Sequence, residues 1–238
     1  MMRLDKLLAS SASISRTQAQ EAIRRGRVTV DGEVVRLPEK KVDEKAAMLL
    51  DGKPLTYEKY VYIMMDKPAG YLSATEDTRD PSVTELLPED LRKRSLGIVG
   101  RLDKDTTGLL LLTDDGELNH RLTSPRYHMD KLYDATLDLP AEKKDIEIFA
   151  SGIEFSDFTA MPAKLEIGED PHRCLVTLRE GKFHQVKRMF EKCGKKVVAL
   201  RRISIGEVEI DGSLGPGGYR RLTDKERDSL LFACGLKK

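Results

Sequence analysis

Asp103 and Asp105 stand with Arg101, Lys104, Thr106 and Thr107 directly before the apolar run Leu109 to Leu112, and Thr113-Asp114-Asp115-Gly116 closes the segment. A buried strand needs such a run, but it has no use for charges packed so densely against its end. Ionised groups at the rim of a core are where side-chain chemistry is staged. Three reactions could use these acids. Metal-assisted phosphoryl transfer wants a phosphate-cradling glycine loop, and no Gly-x-x-x-x-Gly-Lys occurs in the chain. Glycoside hydrolysis needs two carboxyls about 5–10 Å apart, a separation that spacing along a chain does not establish. Nucleophilic catalysis needs one carboxylate kept ionised and aimed by a cation. The bland alternative is an acidic turn that caps a buried strand.

The elements around this segment follow from hydrophobic period and turn chemistry. Residues 2–9 predict a short amphipathic helix with Leu4, Leu7 and Leu8 on one face. Ser15 is an N-cap for a second helix over Arg16 to Arg25, and Gly26 is its stop. Val28 to Val30, Asp31-Gly32 and Val34-Val35 predict a hairpin, and Ala47 to Leu50, Asp51-Gly52 and Lys53 to Leu55 predict another. A linker near Thr56 to Lys59 separates this module, residues 1–58, from a larger domain, residues 59–238. There the expected elements are a strand at Val61 to Met65 ending in Lys67-Pro68-Ala69-Gly70, a short helix at Glu117 to Leu122, and strands near 131–138 and 173–179. A helix over Phe183 to Cys193 and strands within 196–211 complete it. The class is α+β with largely antiparallel strands, because regular strand–helix alternation is missing.

Totals narrow the function. Of 238 residues, 39% are hydrophobic and 34% charged, which predicts a heavily ionised surface over a modest core. No stretch approaches the roughly 20 apolar residues of a membrane span, and the first residues lack a signal-peptide pattern. Three widely spaced cysteines and four histidines show no metal-ligand spacing, so no metal site is expected and the thiols read as reduced in a cytoplasmic monomer. Net charge is only +1, but residues 1–36 hold seven cations against four acids, while acids gather in 139–170. Arg3, Lys6, Arg16, Arg24, Arg25 and Arg27 are the candidates to track a phosphate backbone. An ordinary solvated helix face is the alternative for charge alone.

Two resemblances decide between these readings. Arg3 to Leu8, Ser15 to Ala19 and Ile23 to Gly32 resemble the alpha-L RNA-binding motif, which implies docking on structured RNA. Gly100-Arg101-Leu102-Asp103 with Asp105-Thr106-Thr107-Gly108-Leu109 is similar to the signature of pseudouridine synthases of the RsuA branch. Asp66-Lys67-Pro68-Ala69-Gly70, Lys131-Leu132-Tyr133 and Gly181 to Phe190 resemble that family's other segments, in its order. The resemblance implies isomerisation of a uridine in ribosomal RNA without cofactor, metal or energy source. It implies Asp103 as the catalytic carboxylate, with Asp105 as local rival, since an extended segment would point both the same way. Tyr133 is implied as the platform for a flipped base, and Lys187 as the cation beside Asp103, with Arg188 as the alternative. Arg101 is implied at the RNA backbone or in the space left by the base. The details of Asp105 to Gly108, Thr123 to Arg126 and the end after Thr223 look most like the 16S small-subunit enzyme. A 23S large-subunit synthase is the second reading, and a non-catalytic ribosome-assembly factor the third.

Overall fold

Leu109 to Leu112 can all be buried only if both faces of their strand are covered, and that requirement organises the larger part of the molecule. The computed structural model describes residues 1–74, 80–127 and 129–237. The chain divides into two compact units, Met1–Tyr60 and Val61–Lys238, two residues beyond the expected boundary. Tyr60 is exposed, whereas Val61 is buried in the second core and its amide donates to Asp114 Oδ1 at 2.7 Å.

In the first unit, helix α1 spans Leu4–Ala12 and α2 spans Arg16–Arg24. The expected start of α1 at residue 2 is corrected. Met2–Arg3 are extended and pair with Lys41–Val42, and the free amides of Leu4 and Asp5 donate to Lys40 and Pro38 carbonyls at 2.9 Å each. Those acceptors satisfy the orphan donors of a helix start that lacks a side-chain cap. Helix α2 has its cap where expected: Ser15 Oγ accepts from the Gln18 amide and Gln18 Oε1 accepts from the Ser15 amide, 3.2 and 2.9 Å. It ends one residue early, with Arg25 as its C-cap and Gly26 left-handed at φ +72°. Strands β1 (Val28–Val30), β2 (Glu33–Val34), β3 (Met48–Leu50) and β4 (Lys53–Leu55) form a sheet in the order β2-β1-β3-β4. Both Asp-Gly turns take positive φ at both residues, the two-residue geometry that matches strand twist.

Asp5 is fully buried in this unit and acts as its polar anchor. Arg3 Nη2 lies at 2.9 Å, Arg16 Nε at 3.2 Å and Gln20 Nε2 at 3.0 Å from its Oδ2. The Arg3 hydrogen bond, helped by Gln20 and Arg16, holds the carboxyl far below its usual range against the cost of burial. Two of the cations expected on RNA are therefore committed to an internal acid. Arg25 also pairs with Glu21 at 2.6 Å, and Arg27 with Asp51 through Nε at 2.8 Å. Lys6 and Arg24 are exposed and carry no ion pair among the described residues. Because the Asp5 pKa is depressed in the folded state, its contribution is present above the unfolded value of about 4 and is lost as pH falls. Asp5→Asn is expected to lower the melting temperature of this unit at pH 7. The gap from the parent protein should shrink below about pH 4 in thermal melts across pH.

The second unit contains strands β5 (Tyr62–Lys67), β6 (Gly97–Val99) and β7 (Thr107–Thr113), then helix α3 (Gly116–Thr123) and strand β8 (Lys131–Leu137). Helix α4 (Lys143–Ser151), strands β9 (Lys164–Ile167) and β10 (Arg173–Leu178), and helix α5 (Gln185–Lys192) follow. Strands β11 (Val197–Ile205), β12 (Val208–Glu209) and β13 (Tyr219–Arg221) and helix α6 (Asp224–Ala233) come last, and short elements at Glu89–Arg92, Ile153–Glu154 and Thr159–Ala160 lie outside the main sheet. The nine-stranded sheet runs β9-β10-β8-β11-β7-β5-β13, with β12 on β11 and β6 on β7. Every pairing is antiparallel except β7 with β11, which is parallel at Thr107–Arg201 and Gly108–Arg202. Leu110 and Leu112 enter one core with Ile63 and Met65, while Leu109 and Leu111 enter another with Met64 and Ile205. Alternation across a strand puts neighbours on opposite faces, so four leucines serve two cores.

Two expectations shift here. The strand expected at Val61 to Met65 runs on through Asp66 and Lys67, both buried, because Arg201 binds the Asp66 carboxylate bidentately at 2.8 and 2.9 Å and three carbonyls receive Lys67. The helix expected from Phe183 begins only at Gln185, since His184 takes φ +52° and ψ +30°, which no right-handed helix can include.

Candidate active site

The parallel junction at Gly108 delivers the segment before β7 to the middle of the sheet, and a set of buried donors holds it there. Lys67 Nζ, with no exposed surface, donates to the carbonyls of Thr106 (2.8 Å), Pro68 (3.0 Å) and Lys104 (3.3 Å). Arg202, 1% exposed, donates to Leu109 and Gly100 carbonyls at 2.8 and 2.9 Å. Ser73 Oγ donates to the Leu102 carbonyl and accepts from its amide, 2.9 and 3.1 Å. Between these clamps, Asp103 to Thr106 form a tight turn closed by the Thr106 amide on the Asp103 carbonyl at 3.1 Å.

The turn separates the two acids. In an extended segment Asp103 and Asp105 would share a side, but here the Asp103 side chain is 28% exposed and lines a cleft, while that of Asp105 is 73% exposed. The cleft, about 600 Å3, is also lined by Arg101, Lys131, Tyr133, His184 and Arg202. Tyr133 lies on β8 and is 7% exposed, so it forms a wall rather than a free flap. Arg101 is exposed at the same opening.

Helix α5 supplies the cation. Lys187 Nζ lies 3.2 Å from Asp103 Oδ2 and 2.6 Å from Asp105 Oδ1, so it bridges both carboxylates. Burial works against the ammonium, but Asp105 and Asp103 together raise its pKa above the ordinary lysine value. The Lys187 hydrogen bond in turn lowers the Asp105 carboxyl. Arg188 is directed elsewhere: Nη1 binds Asp157 at 3.0 Å, and its guanidinium lies over the Phe155 and Phe158 rings at 4.6 and 4.8 Å. Successive helical residues lie about 100° apart, so only one of these two cations can face the turn.

Sequence reasoning missed several residues of this site. His184 Nε2 stands 3.6 Å from Asp103 Oδ1. Lys131 lines the cleft and donates to the Met129 carbonyl at 3.0 Å, and burial pushes its pKa down to about 8. Lys67 and Lys131 were visible only as members of motifs, and Arg202 only as one of two arginines in a strand. Burial pushes Lys67 down to about 8 as well, against the pull of Asp105 and Asp103. Lys67→Met would take a donor from three carbonyls, of which the Thr106 carbonyl is buried and costs roughly 1–3 kcal/mol if left unsatisfied. It is expected to lower the melting temperature by several degrees and turnover at least about tenfold, by thermal melting and initial rates. A Lys67→Met protein with full activity would deny the clamp any part in placing Asp103.

Among the described residues no group of three or more His, Cys, Asp or Glu side chains is arranged to hold a metal ion. The chemistry on offer is that of one carboxylate, semi-buried and paired with a cation, in a cleft of nucleoside size with an aromatic wall. Residues 61–192 match the RNA pseudouridylate synthase family, and residues 2–47 match the S4 domain. Ribosomal small subunit pseudouridine synthase A of Escherichia coli K12 is 44% identical over 234 residues, covering 97% of this chain and 100% of the relative. The uncharacterized RNA pseudouridine synthase YtzG of Bacillus subtilis is 42% identical over 231 residues, covering 94% and 96%. A solved crystal structure of pseudouridylate synthase superposes with a TM-score of 0.69 at 40% identity, over 97% of this chain and 100% of that one. With the match spanning the turn that carries Asp103, the strand that carries Tyr133 and the helix that carries Lys187, the chain belongs to the RNA pseudouridylate synthase family and bears an S4 domain at its N-terminal end.

Proposed function

We propose that this pseudouridine synthase converts one uridine of small-subunit ribosomal RNA, with Asp103 as the nucleophile. The observation that carries the chemical part is the Asp103 carboxylate in the cleft, 3.2 Å from Lys187 Nζ and beside Tyr133. A uridine stacked in RNA cannot reach such a carboxylate, so the target nucleotide turns out of its stack into the cleft. The bond between ribose C1′ and uracil N1 breaks, the base rotates, and C1′ bonds to C5. The C5 proton is lost and N1 gains one, so the sum is an isomerisation. Lys187 pairs with the Asp103 carboxylate and fixes its rotamer, Tyr133 packs against the base, and Arg101 meets the RNA backbone at the opening.

The S4 domain supplies docking on structured ribosomal RNA. Lys6 and Arg24 are its free cations in this reading, and Arg3, Arg16, Arg25 and Arg27 reach phosphate only while keeping their acids. A monomer in the cytoplasm, acting on the RNA or on a partly assembled small subunit, completes the proposal. The small-subunit assignment is supported by the relative that bears that name at 44% identity. Mapping pseudouridines in both ribosomal RNAs, from cells with and without this protein, tests it. Loss of one small-subunit site is the expected result. Loss at a large-subunit site instead would retain the chemistry and overturn the substrate.

A further inference from the structure

The turn that leads into α5 does more than bring Lys187 to Asp103. Phe183 is 71% exposed, the most exposed aromatic side chain among the described residues, and no step above uses it. Its ring stacks on His184, with centroids 3.8 Å apart and planes 18° from parallel. His184 in turn stands 3.6 Å from Asp103. Phe183, His184 and Asp103 all line the cleft, so the rings form a continuous path from solvent to the carboxylate.

This exposure is enforced by the backbone. His184 holds φ +52°, a left-handed conformation that costs a side-chain-bearing residue free energy and persists only where its surroundings demand it. Of the other non-glycine residues with positive φ among those described, Ser13 ends α1 and Asp31 and Asp51 sit in hairpin turns; His184 is the one at the cleft. The demand comes from Gln185, 3% exposed. Its Oε1 accepts from the Lys182 amide at 3.0 Å and its Nε2 donates to Glu180 Oε1 at 2.7 Å. Glu180 Oε1 also accepts from the Met161 amide at 2.8 Å. With Gln185 tied inward, the reversal at His184 turns Phe183 outward on a fixed support.

A pair of near-parallel rings, rigidly presented at the rim of a nucleotide cleft with one face open, is a stacking platform, because every base has a π-face to offer. We infer that the outer face of Phe183 receives a base adjacent in sequence to the target uridine and replaces the stacking that base loses when the uridine turns out. Phe183 is then a substrate-binding residue that reads the local unstacking of the RNA. The inference rests on the reading that the cleft receives a flipped uridine.

The test couples the side chain to a base. kcat/KM is measured on an RNA fragment around the uridine that the protein itself converts, intact and with a single abasic nucleotide at each flanking position in turn. Phe183→Ala is expected to lower kcat/KM about tenfold on the intact fragment, within the range of one lost base–aromatic stack. On the fragment that lacks the stacked base the same substitution should cost less than about twofold, since the two changes remove one contact. Phe183→Tyr should restore the parent value and Phe183→Leu should not, because a planar face and not apolar cover is required. An undiminished loss on every abasic fragment, recovery by Leu, or no loss with Ala would overturn the inference. The fragment follows from observed conversion, so a large-subunit target would displace the substrate assignment and leave this test standing.

Discussion

Asp103→Asn is expected to abolish pseudouridine formation, with single-turnover rates down on the order of 10^4-fold or more, the scale set by removing a nucleophile from a site that acts as a unit. The amide is isosteric, so the cleft keeps its shape, but it has no negative charge with which to act on the substrate. RNA affinity should change little, because phosphate contacts and the S4 domain are untouched. The comparison that gives the result its meaning is Asp105→Asn. Asp105 is the nearer partner of Lys187, at 2.6 Å against 3.2 Å, yet its side chain is 73% exposed and outside the cleft. Its loss frees Lys187 to pair with Asp103 alone, and the rate should fall by no more than about tenfold, the scale of an exposed ion pair. If the two substitutions were equally damaging, or if Asp103→Asn kept a rate within about a hundredfold of the parent, the assignment of the nucleophile would fail.

The second large effect belongs to a residue without a side chain. Gly108 sits at φ +96°, and a Cβ there would lie 2.3 Å from the Arg202 carbonyl oxygen and 2.9 Å from the Arg202 amide nitrogen. Both are backbone atoms of the adjacent parallel strand, so no rotamer change relieves the contact. On the other side Gly108 is registered with Lys67 of β5. Gly108→Ala therefore has to push β7 and β11 apart at the junction that positions the Asp103 turn. A cost of about 3 kcal/mol or more is expected from strain and overpacking together, read as a fall in melting temperature of roughly 6 °C or more. Turnover should fall with it, since Arg202 and Lys67 hold the turn on either side. Gly116→Ala is the control: a Cβ there meets nothing within 4 Å and the backbone needs no positive φ. A Gly108→Ala protein that melted within about 2 °C of the parent would show that the junction yields more easily than its geometry implies.

Local chemistry made much of this protein readable. Ser15 with Gln18, Asp31-Gly32 and Asp51-Gly52 each carry their own instruction, because caps and two-residue turns depend on side chains and φ values a few residues apart. The leucine run announced a strand, though its service to two cores emerges only when both sheet faces are covered. Where the reading slipped, a distant partner was responsible. The Met2–Arg3 segment is extended because Lys41–Val42 pairs with it, and Asp66 and Lys67 stay in β5 because Arg201 and the carbonyls of another loop receive them. Helix α5 starts late because Gln185 is tied to Glu180. The cations of the first 36 residues looked alike in sequence, but two of them serve a buried acid whose burial no local pattern reveals.

By itself the sequence determined the family, the order of the elements and the short list of acids and cations from which a site is built. Tertiary structure decided which of them meet. Asp103 and Asp105 have the same chemistry and sit two residues apart, and Lys187 and Arg188 are adjacent cations of one helix. Such pairs are equivalent to any rule that counts residue types. They become different only when a turn directs one carboxylate into a cleft and the rotation of α5 presents one cation to it, because charge interactions depend on distance and burial rather than on position along the chain.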